Sequence, residues 1–288
     1  MLNPIILEEG GSVRLTQEYI EVAKERLGLN DPWPVRYGRW LLEISRGNFG
    51  KSITLGAPVA DLISKAAWPS IQLNLVALFI STVVGIGVGL IQALRQYSIL
   101  DYVSSFLTFF YISMPGFFLG LILIYLFALQ LDWFPAAGYA TFGVEPTLRD
   151  RLHHLVLPAA TLALGGAPSL IRITRTTMLE VLGQPYVTTA RSKGLQERIV
   201  ILRHAFHNGL IPVVTVLGGC IPALLSGSFI IEQVFQWPGL GTLALRSVGE
   251  RDYPVIMALV FVTSFLSLLA ILITDIIYTL VDPRIRYD

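Results

Sequence analysis

The chain has 288 residues, of which 53% are hydrophobic and only 14% are charged. Together with a mean hydropathy of +0.64, this composition is typical of membrane proteins rather than of soluble domains. The 21 basic and 20 acidic residues leave a formal net charge of +1. Bulk charge therefore does not favour nucleic acid or another polyanion as a partner.

Residues 1–65 precede the first long apolar window and form a polar region. A helix is predicted to begin at Thr16 and to end at Gly28. Its apolar face contains Ile20, Ala23 and Leu27. The prolines of Asp31–Pro34 then predict an extended turn. We expect short helices in this region and no catalytic group.

Five windows without charged residues follow, and each can supply the ~20 apolar residues that cross a bilayer as a helix. Helices are expected because they satisfy their own backbone hydrogen bonds in lipid. The windows are 66–94, 102–131, 152–171, 204–231 and 253–274. The sequence therefore predicts an all-α, polytopic membrane protein in which residues 66–288 form a transmembrane domain with five spans.

Small and charged residues inside these windows have structural interpretations first. Gly85 and Gly89, like Gly116 and Gly120, are spaced for close helix contact. Asp275 is the one carboxylate set in a long apolar run, which makes it a candidate for a functional role within the membrane. Since it lies near the end of that run, a role at the interface or in helix packing is an equally good interpretation.

The sequence contains no constellation for bond chemistry. Cys220 is the single cysteine, and the four histidines form no H-E-x-x-H pattern. The glycines of Gly85-Ile-Gly-Val-Gly89 superficially resemble a phosphate-binding loop, but no strand precedes them and no lysine follows. We therefore expect no catalytic residue, no metal and no cofactor in this chain.

The most polar and basic stretch between two windows runs from Tyr186 to Pro212. Two short helices joined at Gly194 are predicted there. One face of the second contains Leu195, Ile199, Leu202 and Phe206. A short amphipathic helix between spans either lies on lipid headgroups or docks into a groove on a partner outside the bilayer. The residues alone leave both alternatives open.

The short loops carry unequal numbers of basic residues, which predicts the orientation. Nine lie on one side: Arg95, Arg172, Arg175, Arg191, Lys193, Arg198, Arg203, Arg284 and Arg286. Four lie on the other: Arg149, Arg151, Arg246 and Arg251. The first side is predicted to be cytoplasmic, so the stretch from Tyr186 to Pro212 and the C-terminus face the cytoplasm.

Five spans with a cytoplasmic C-terminus place residues 1–65, which carry eight Lys and Arg, outside the cell. No signal peptide begins at Met1 that could translocate them. A further span upstream of Met1, lost through a start site assigned too late, would resolve this conflict, and we expect one.

With these features in place, Tyr186–Leu195 (YVTTARSKGL) and Arg203–Pro212 (RHAFHNGLIP) resemble the EAA-type motif of ABC importer permease subunits, and more narrowly the dipeptide and oligopeptide branch. Thr188 stands where the motif has its glutamate, whereas Ala190 and Gly194 match. Seven further segments also resemble the same branch: AKERLGL (23–29), GNFGKS (47–52), SMP (113–115), LVLPA (155–159), FQWPGLG (235–241), RDYP (251–254) and DPRIR (282–286).

The resemblance implies the type I ABC importer fold, with six spans, of which this chain would lack the first. It implies a cell (inner or plasma) membrane transporter in which two permease subunits form the pathway. Two cytoplasmic ATPases would bind ATP and Mg, and an extracytoplasmic binding protein would deliver substrate. Peptides are the main cargo of the branch; nickel, glutathione and oligosaccharides are the alternatives.

The resemblance also implies an ATPase-coupling segment within residues 178–207. Its residues would be Thr188, Thr189, Ala190, Arg191, Lys193, Gly194 and Leu195. We expect Ala190 and Gly194, four residues apart, to share one helix face and to let the ATPase approach closely. Arg191 and Lys193 would meet acidic groups at the rim of the contact.

Other classes fit the sequence less well. A secondary transporter driven by an ion gradient commonly has inverted repeats and ionisable groups at mid-membrane, and here only Asp275 is of that kind. A membrane scaffold would explain the basic loop but not the resemblance across the other loops. An intramembrane protease would need a nucleophile and a base, or a metal set, and the sequence shows neither.

Overall fold

The computed structural model describes residues 7–9, 12–14, 21, 30–220 and 228–281, without the side chains of residues 7–9, 12–14, 211, 275 and 277–281. The chain forms two compact units that divide between Gly50 and Lys51. Residues 51–65, which the sequence interpretation grouped with the polar region, therefore fold with the second unit.

The described residues of the first unit include a small hairpin and a well-defined helix. Strands β1 (Leu7–Glu9) and β2 (Ser12–Arg14) pair antiparallel. Helix α1 (Trp33–Ser45) carries Pro34 in its first turn, where the missing N–H removes no helical hydrogen bond. Most of the helix predicted from Thr16 to Gly28 lies outside the described residues.

The second unit is helical. Its described helices are α2 (Val59–Leu94), α3 (Ile99–Ser113), α4 (Gly116–Leu123, continued as a π-helix over Ile124–Gln130), α5 (Leu148–Leu182), α6 (Pro185–Ser192), α7 (Glu197–Gly209), α8 (Ile211–Gly219), α9 (Phe229–Val234), α10 (Leu240–Gly249) and α11 (Tyr253–Val281). The side chain of Asp275, in α11, is not among those described, so the proposed alternatives for it stay predictions.

Helix α5 is the central helix of the second unit. Of its apolar window, 61% is buried within the chain, against 22% for α2 and 17% for α11. Pro158 and Pro168 lie inside α5 without ending it. Helix α5 therefore contacts several neighbouring helices at once.

The most extensive helix contact is between α2 and α5, and glycines make it possible. A Cβ atom on Gly85 would collide with the side chain of Leu170, and one on Gly89 would lie 2.7 Å from the carbonyl oxygen of Ile171. The predicted close contact through Gly85 and Gly89 is confirmed. Gly120 also lies in close contact, 3.2 Å from Phe235 by the same measure.

The second apolar window, predicted as one span, is two helices. Helices α3 and α4 meet at an angle of 110°. Pro115 sterically favours an extended conformation at Met114, which has φ −92° and ψ 134°. The window is therefore a bent pair of helices rather than one straight helix.

By length and apolar composition, α2, α5 and the 253–274 portion of α11 can each cross a membrane. Two bent pairs, α3 with α4 and α7 with α8, raise the number of candidate spans in the described residues to five when each pair is taken as one span. The five predicted spans correspond to this upper number.

Candidate functional site

The predicted coupling segment is a helix, a turn and a second helix. Helix α6 has Pro185 in its first turn and ends at Ser192. Gly194 then adopts φ 75°, a left-handed conformation that only glycine takes without strain. Helix α7 begins at Glu197. The prediction of two short helices joined at Gly194 is confirmed.

One side of this segment is packed against the ends of the two longest helices. Val187 and Ala190 of α6 join Val200 and Ala205 of α7 in one apolar cluster. The long helices contribute Ala93, near the end of α2, and Met178, near the end of α5. All of these side chains are at most 6% exposed, so the segment is attached to α2 and α5 together.

The other side of the segment is open. Six of the seven predicted site residues are exposed: Thr188, Thr189, Arg191, Lys193, Gly194 and Leu195. The seventh, Ala190, is buried in the cluster described above. The expectation that Ala190 and Gly194 share a helix face was wrong, because α6 ends at Ser192 and Gly194 lies in the turn.

Helix α7 contains a π-helical stretch, Val200–Phe206, which changes the faces predicted from a 3.6-residue period. Val200 and Ala205, five residues apart, are both fully buried, as a repeat of i to i+5 allows. Leu195, Ile199 and Leu202 remain 40%, 42% and 48% exposed. Most of the predicted apolar face therefore lies on the open side of the segment.

Arg191 has a partner within the chain. Its guanidinium donates to the carboxylate of Glu197, with the shortest contact, Nη2 to Oε1, at 2.7 Å, and two further contacts from Nε at 3.2 Å. This hydrogen bonding raises the pKa of Arg191 above its usual value. The pair joins the end of α6 to the start of α7 across Gly194. Within the chain, the acidic group that Arg191 meets is Glu197, and its contact with an ATPase stays a prediction.

The same pair borders a groove at this end of the molecule. Its other polar walls are Arg95, Gln96 and Tyr97, from the loop between α2 and α3. Two of the loops that carry the larger share of basic residues therefore lie side by side, as the orientation argument requires.

Loops with the smaller share of basic residues meet elsewhere. Tyr139 packs edge-on against Trp237 at 4.9 Å, lies 5.4 Å from the guanidinium of Arg151, and donates to Gln72 of α2 at 2.8 Å. Gln72 is 22 residues before Leu94, which ends α2, and this corresponds to about 33 Å along a helix. This cluster therefore lies on the N-terminal half of α2, well separated along the helix from the coupling segment at its C-terminal end.

A buried carboxylate near Trp237 holds several segments together through hydrogen bonds. The sequence interpretation did not identify it. Glu232 of α9 is fully buried. It accepts hydrogen bonds from Ser70 Oγ of α2 at 2.6 Å and from the backbone N–H groups of Gly241 and Thr242 at 2.7 and 3.2 Å. Its position in the sequence could have indicated it, because Glu232 directly follows the apolar window 204–231 and precedes the FQWPGLG sequence (235–241).

The chemistry of these sites is that of packing and hydrogen bonding. Among the described residues, no group of three or more His, Cys, Asp and Glu could hold a metal ion. The buried carboxylates of Glu232 and Asp101 accept hydrogen bonds from side chains of the same chain, Ser70 and Arg175 respectively. What the arrangement can do is hold helices together and present an open helical surface at one end.

Comparison with known proteins agrees with this geometry. Residues 85–287 match the family model described as the binding-protein-dependent transport system inner membrane component. The oligopeptide transport system permease protein AppB of Bacillus subtilis (strain 168) is 42% identical over 275 residues, which cover 95% of this chain and 87% of AppB.

Two solved structures show the same fold. A chain of the MetNI methionine ABC transporter, in an inward-facing conformation, superposes with a TM-score of 0.61 at 19% identity, over 77% of this chain and 96% of that one. A chain of an amino acid ABC transporter crystallised with histidines gives 0.57 at 16% identity, over 76% and 93%. The predicted helical, type I importer permease fold is confirmed, whereas the β1–β2 hairpin of the first unit was not predicted. This chain is a multi-pass membrane protein and belongs to the family of binding-protein-dependent transport system inner membrane components.

Proposed function

We propose that this chain is a pathway-forming subunit of an ATP-driven importer for peptides. The family assignment supports the transport role, and the printed name of AppB, an oligopeptide transport permease, supports the cargo. In this proposal a second permease subunit, identical or related, completes the pathway. An extracytoplasmic binding protein delivers the peptide, and two ATPase subunits bind ATP and Mg.

The observation that carries the proposal is the two-sided construction of the coupling segment. Its inner side is packed on α2 and α5. Its outer side exposes Thr188, Lys193 and Leu195 beyond the ends of these helices. An ATPase bound to the outer side would move the inner side with it, because close-packed interfaces move as rigid bodies.

In this mechanism the chain performs no bond chemistry. Closure of the ATPases on ATP displaces α6 and α7, and the apolar cluster passes that displacement to α2 and α5. The Arg191–Glu197 pair keeps α6 and α7 together during the movement. The pathway then alternates between openings on the two sides of the membrane.

The proposed orientation follows from the same argument. Residues 178–207 and the C-terminus face the cytoplasm, where ATP is, and residues 1–65 are extracytoplasmic. Arg95 and Arg191 lie at the C-terminal end of α2, whereas Arg151 lies beside Tyr139, which bonds to Gln72 in the N-terminal half of α2, and this separation supports the arrangement.

The test is uptake of a radiolabelled oligopeptide by liposomes that contain the complete transporter and its binding protein. We expect uptake to require ATP on the ATPase side and to persist with an uncoupler. Nickel, glutathione and an oligosaccharide serve as competitors and should not reduce it. Uptake that continues without ATP but is abolished by the uncoupler would contradict the proposal and favour a secondary transporter.

A further inference from the structure

Helix α3 is held to the rest of the second unit in an unusual way. Apart from Asp101 and Thr108, none of its described side chains is buried. Large apolar residues cover its exposed surface, among them Phe106 and Phe109, each 68% exposed. At its C-terminal end it bends by 110° into α4. Because packing within the chain buries few of its side chains, a specific polar contact is what fixes the position of α3.

That contact is an ion pair. Arg175 Nη2 of α5 donates to Asp101 Oδ2 at 3.0 Å. The Asp101 side chain is 5% exposed and that of Arg175 is 33% exposed. The backbone N–H of Tyr97 donates to the same carboxylate oxygen at 3.1 Å. Beside the pair, Gln92 of α2 donates to Ser104 Oγ at 2.8 Å.

Arg175 also lies next to the attachment of the coupling segment. Met178, three residues further along α5, is fully buried in the cluster with Val187 and Ala190. Tyr97, which donates to Asp101, lines the groove bordered by Arg191. The ion pair is therefore placed between the coupling segment and the start of α3.

We infer that Asp101 and Arg175 are positioning residues for transport, which make α3 follow the movement of the coupling segment. This inference rests on the proposed function. When the segment displaces the end of α5, Arg175 moves with that continuous helix, and its hydrogen bond carries Asp101 along. The break at Met114 and Pro115 lets α3 turn while α4 stays packed against Phe235.

A charged contact suits this role better than an apolar one. Buried ion pairs are weak evidence for stability, since an apolar replacement is often equally stable. They do fix direction, because each hydrogen bond requires its own geometry. Apolar packing of α3 against α5 would tolerate sliding, whereas the Asp101–Arg175 pair defines one position of α3 relative to α5.

The test uses the complete transporter in liposomes and measures peptides taken up per ATP hydrolysed. The main variant is Asp101→Asn/Arg175→Gln, because removal of one partner alone would leave an uncompensated buried charge. Arg175→Lys keeps the charge. The matched control is Arg246→Gln/Glu250→Gln, which removes an ion pair of 2.9 Å on α10, far along the chain from α3.

We expect the neutral double variant to assemble normally and to lose about fivefold or more in peptides per ATP, the lower end of ordinary coupling between sites. Arg175→Lys should lie closer to the native ratio, and the control should keep it. An unchanged ratio in the double variant would overturn the inference. So would failure of that variant to assemble, since the pair would then serve stability.

The outcome separates this inference from the proposed function. If the native transporter shows no ATP-driven peptide uptake, the proposed function fails. If the native transporter couples uptake to ATP and the double variant does so equally well, only the role of Asp101 and Arg175 fails.

Discussion

At the scale of single residues, Glu232 holds several segments in place. Its carboxylate joins Ser70 of α2 to the turn that begins α10. Gly239 and Gly241 are required close by, since a Cβ on Gly241 would lie 2.6 Å from the backbone of Phe229. Such a carboxylate is difficult to replace, because Ser70 Oγ and the N–H of Gly241, two of its donors, are buried with it.

Glu232→Ala should therefore destabilise the protein strongly. Each buried donor left without an acceptor costs about 1–3 kcal/mol, and at least two donors, Ser70 Oγ and the N–H of Gly241, lose their acceptor. We expect a clearly lower midpoint of thermal unfolding in detergent. The control is Gln233→Ala, at an exposed neighbouring position. Equal midpoints for the two variants would contradict the assignment.

Substitutions at Ala190 and at Thr188 distinguish an effect on folding from an effect on ATPase docking. Ala190→Asp places a carboxylate in the apolar cluster, where desolvation is costly. We expect this variant to accumulate poorly and to unfold at lower temperature. Thr188→Asp, on the exposed side of α6, should fold normally and bind the ATPases less well. Normal stability of Ala190→Asp, measured by thermal unfolding, would show that Ala190 is not in the core.

The hydrogen bonds of the Asp252 carboxylate predict how the stability of the protein depends on pH. Burial alone would raise the pKa of this carboxyl, but hydrogen bonds from Ser52 Oγ and from the backbone N–H groups of Ile53, Thr54 and Val255 outweigh it and hold the pKa below its usual value. In the unfolded chain an aspartate titrates near ~3.9. The native state thus binds fewer protons, so the stabilisation is complete above that value and is lost as pH falls through the lower native pKa.

Amide hydrogen exchange at residues 52–55 should follow this titration. Corrected for intrinsic rates, protection should be the same at pH 7 and pH 5, and should decline only below about pH 4. Asp252→Asn should reduce protection at pH 7 and at pH 5, and should differ less from the native chain below the native pKa. A loss of protection between pH 7 and pH 5 would mean that another group controls this loop.

At the scale of elements, local patterns explain which predictions were confirmed. The apolar windows 66–94 and 253–274 correspond to α2 and α11, because length and composition suffice to define a spanning helix. Gly194 ends a helix because of its own backbone freedom. The contact at Gly85 and Gly89 follows from their spacing. None of these inferences needs information from distant residues.

The expectations that failed depend on packing or on backbone irregularity. The π-helical stretch Val200–Phe206 shifts the buried face of α7 away from a 3.6-residue pattern. Ala190 was placed on the docking face from its spacing to Gly194, and its burial in a cluster with Ala93, 97 residues earlier in the chain, could not be read from that spacing. The polar pairs could not be predicted from local patterns either, because Asp101 and Arg175 are 74 residues apart.

At the scale of the whole molecule, the two halves of α2 make different contacts. In the N-terminal half, Glu232 and Trp237 are buried with their polar atoms bonded to α2 through Ser70 and the carbonyl oxygen of Pro69. At the C-terminal end, the coupling segment keeps an open surface that includes Leu195. The proposed mechanism requires that an ATPase binds this open surface.

The most direct test of that claim is the amount of ATPase recovered with the purified permease when Leu195 is replaced by Asp. Leu195 is 40% exposed and Val248 of α10 is 60% exposed, so Leu195→Asp and the control Val248→Asp should both fold. We predict that recovery falls about tenfold for Leu195→Asp, equivalent to ~1.4 kcal/mol, and stays native for Val248→Asp. Native recovery with Leu195→Asp, or an equal loss with the control, would contradict the account.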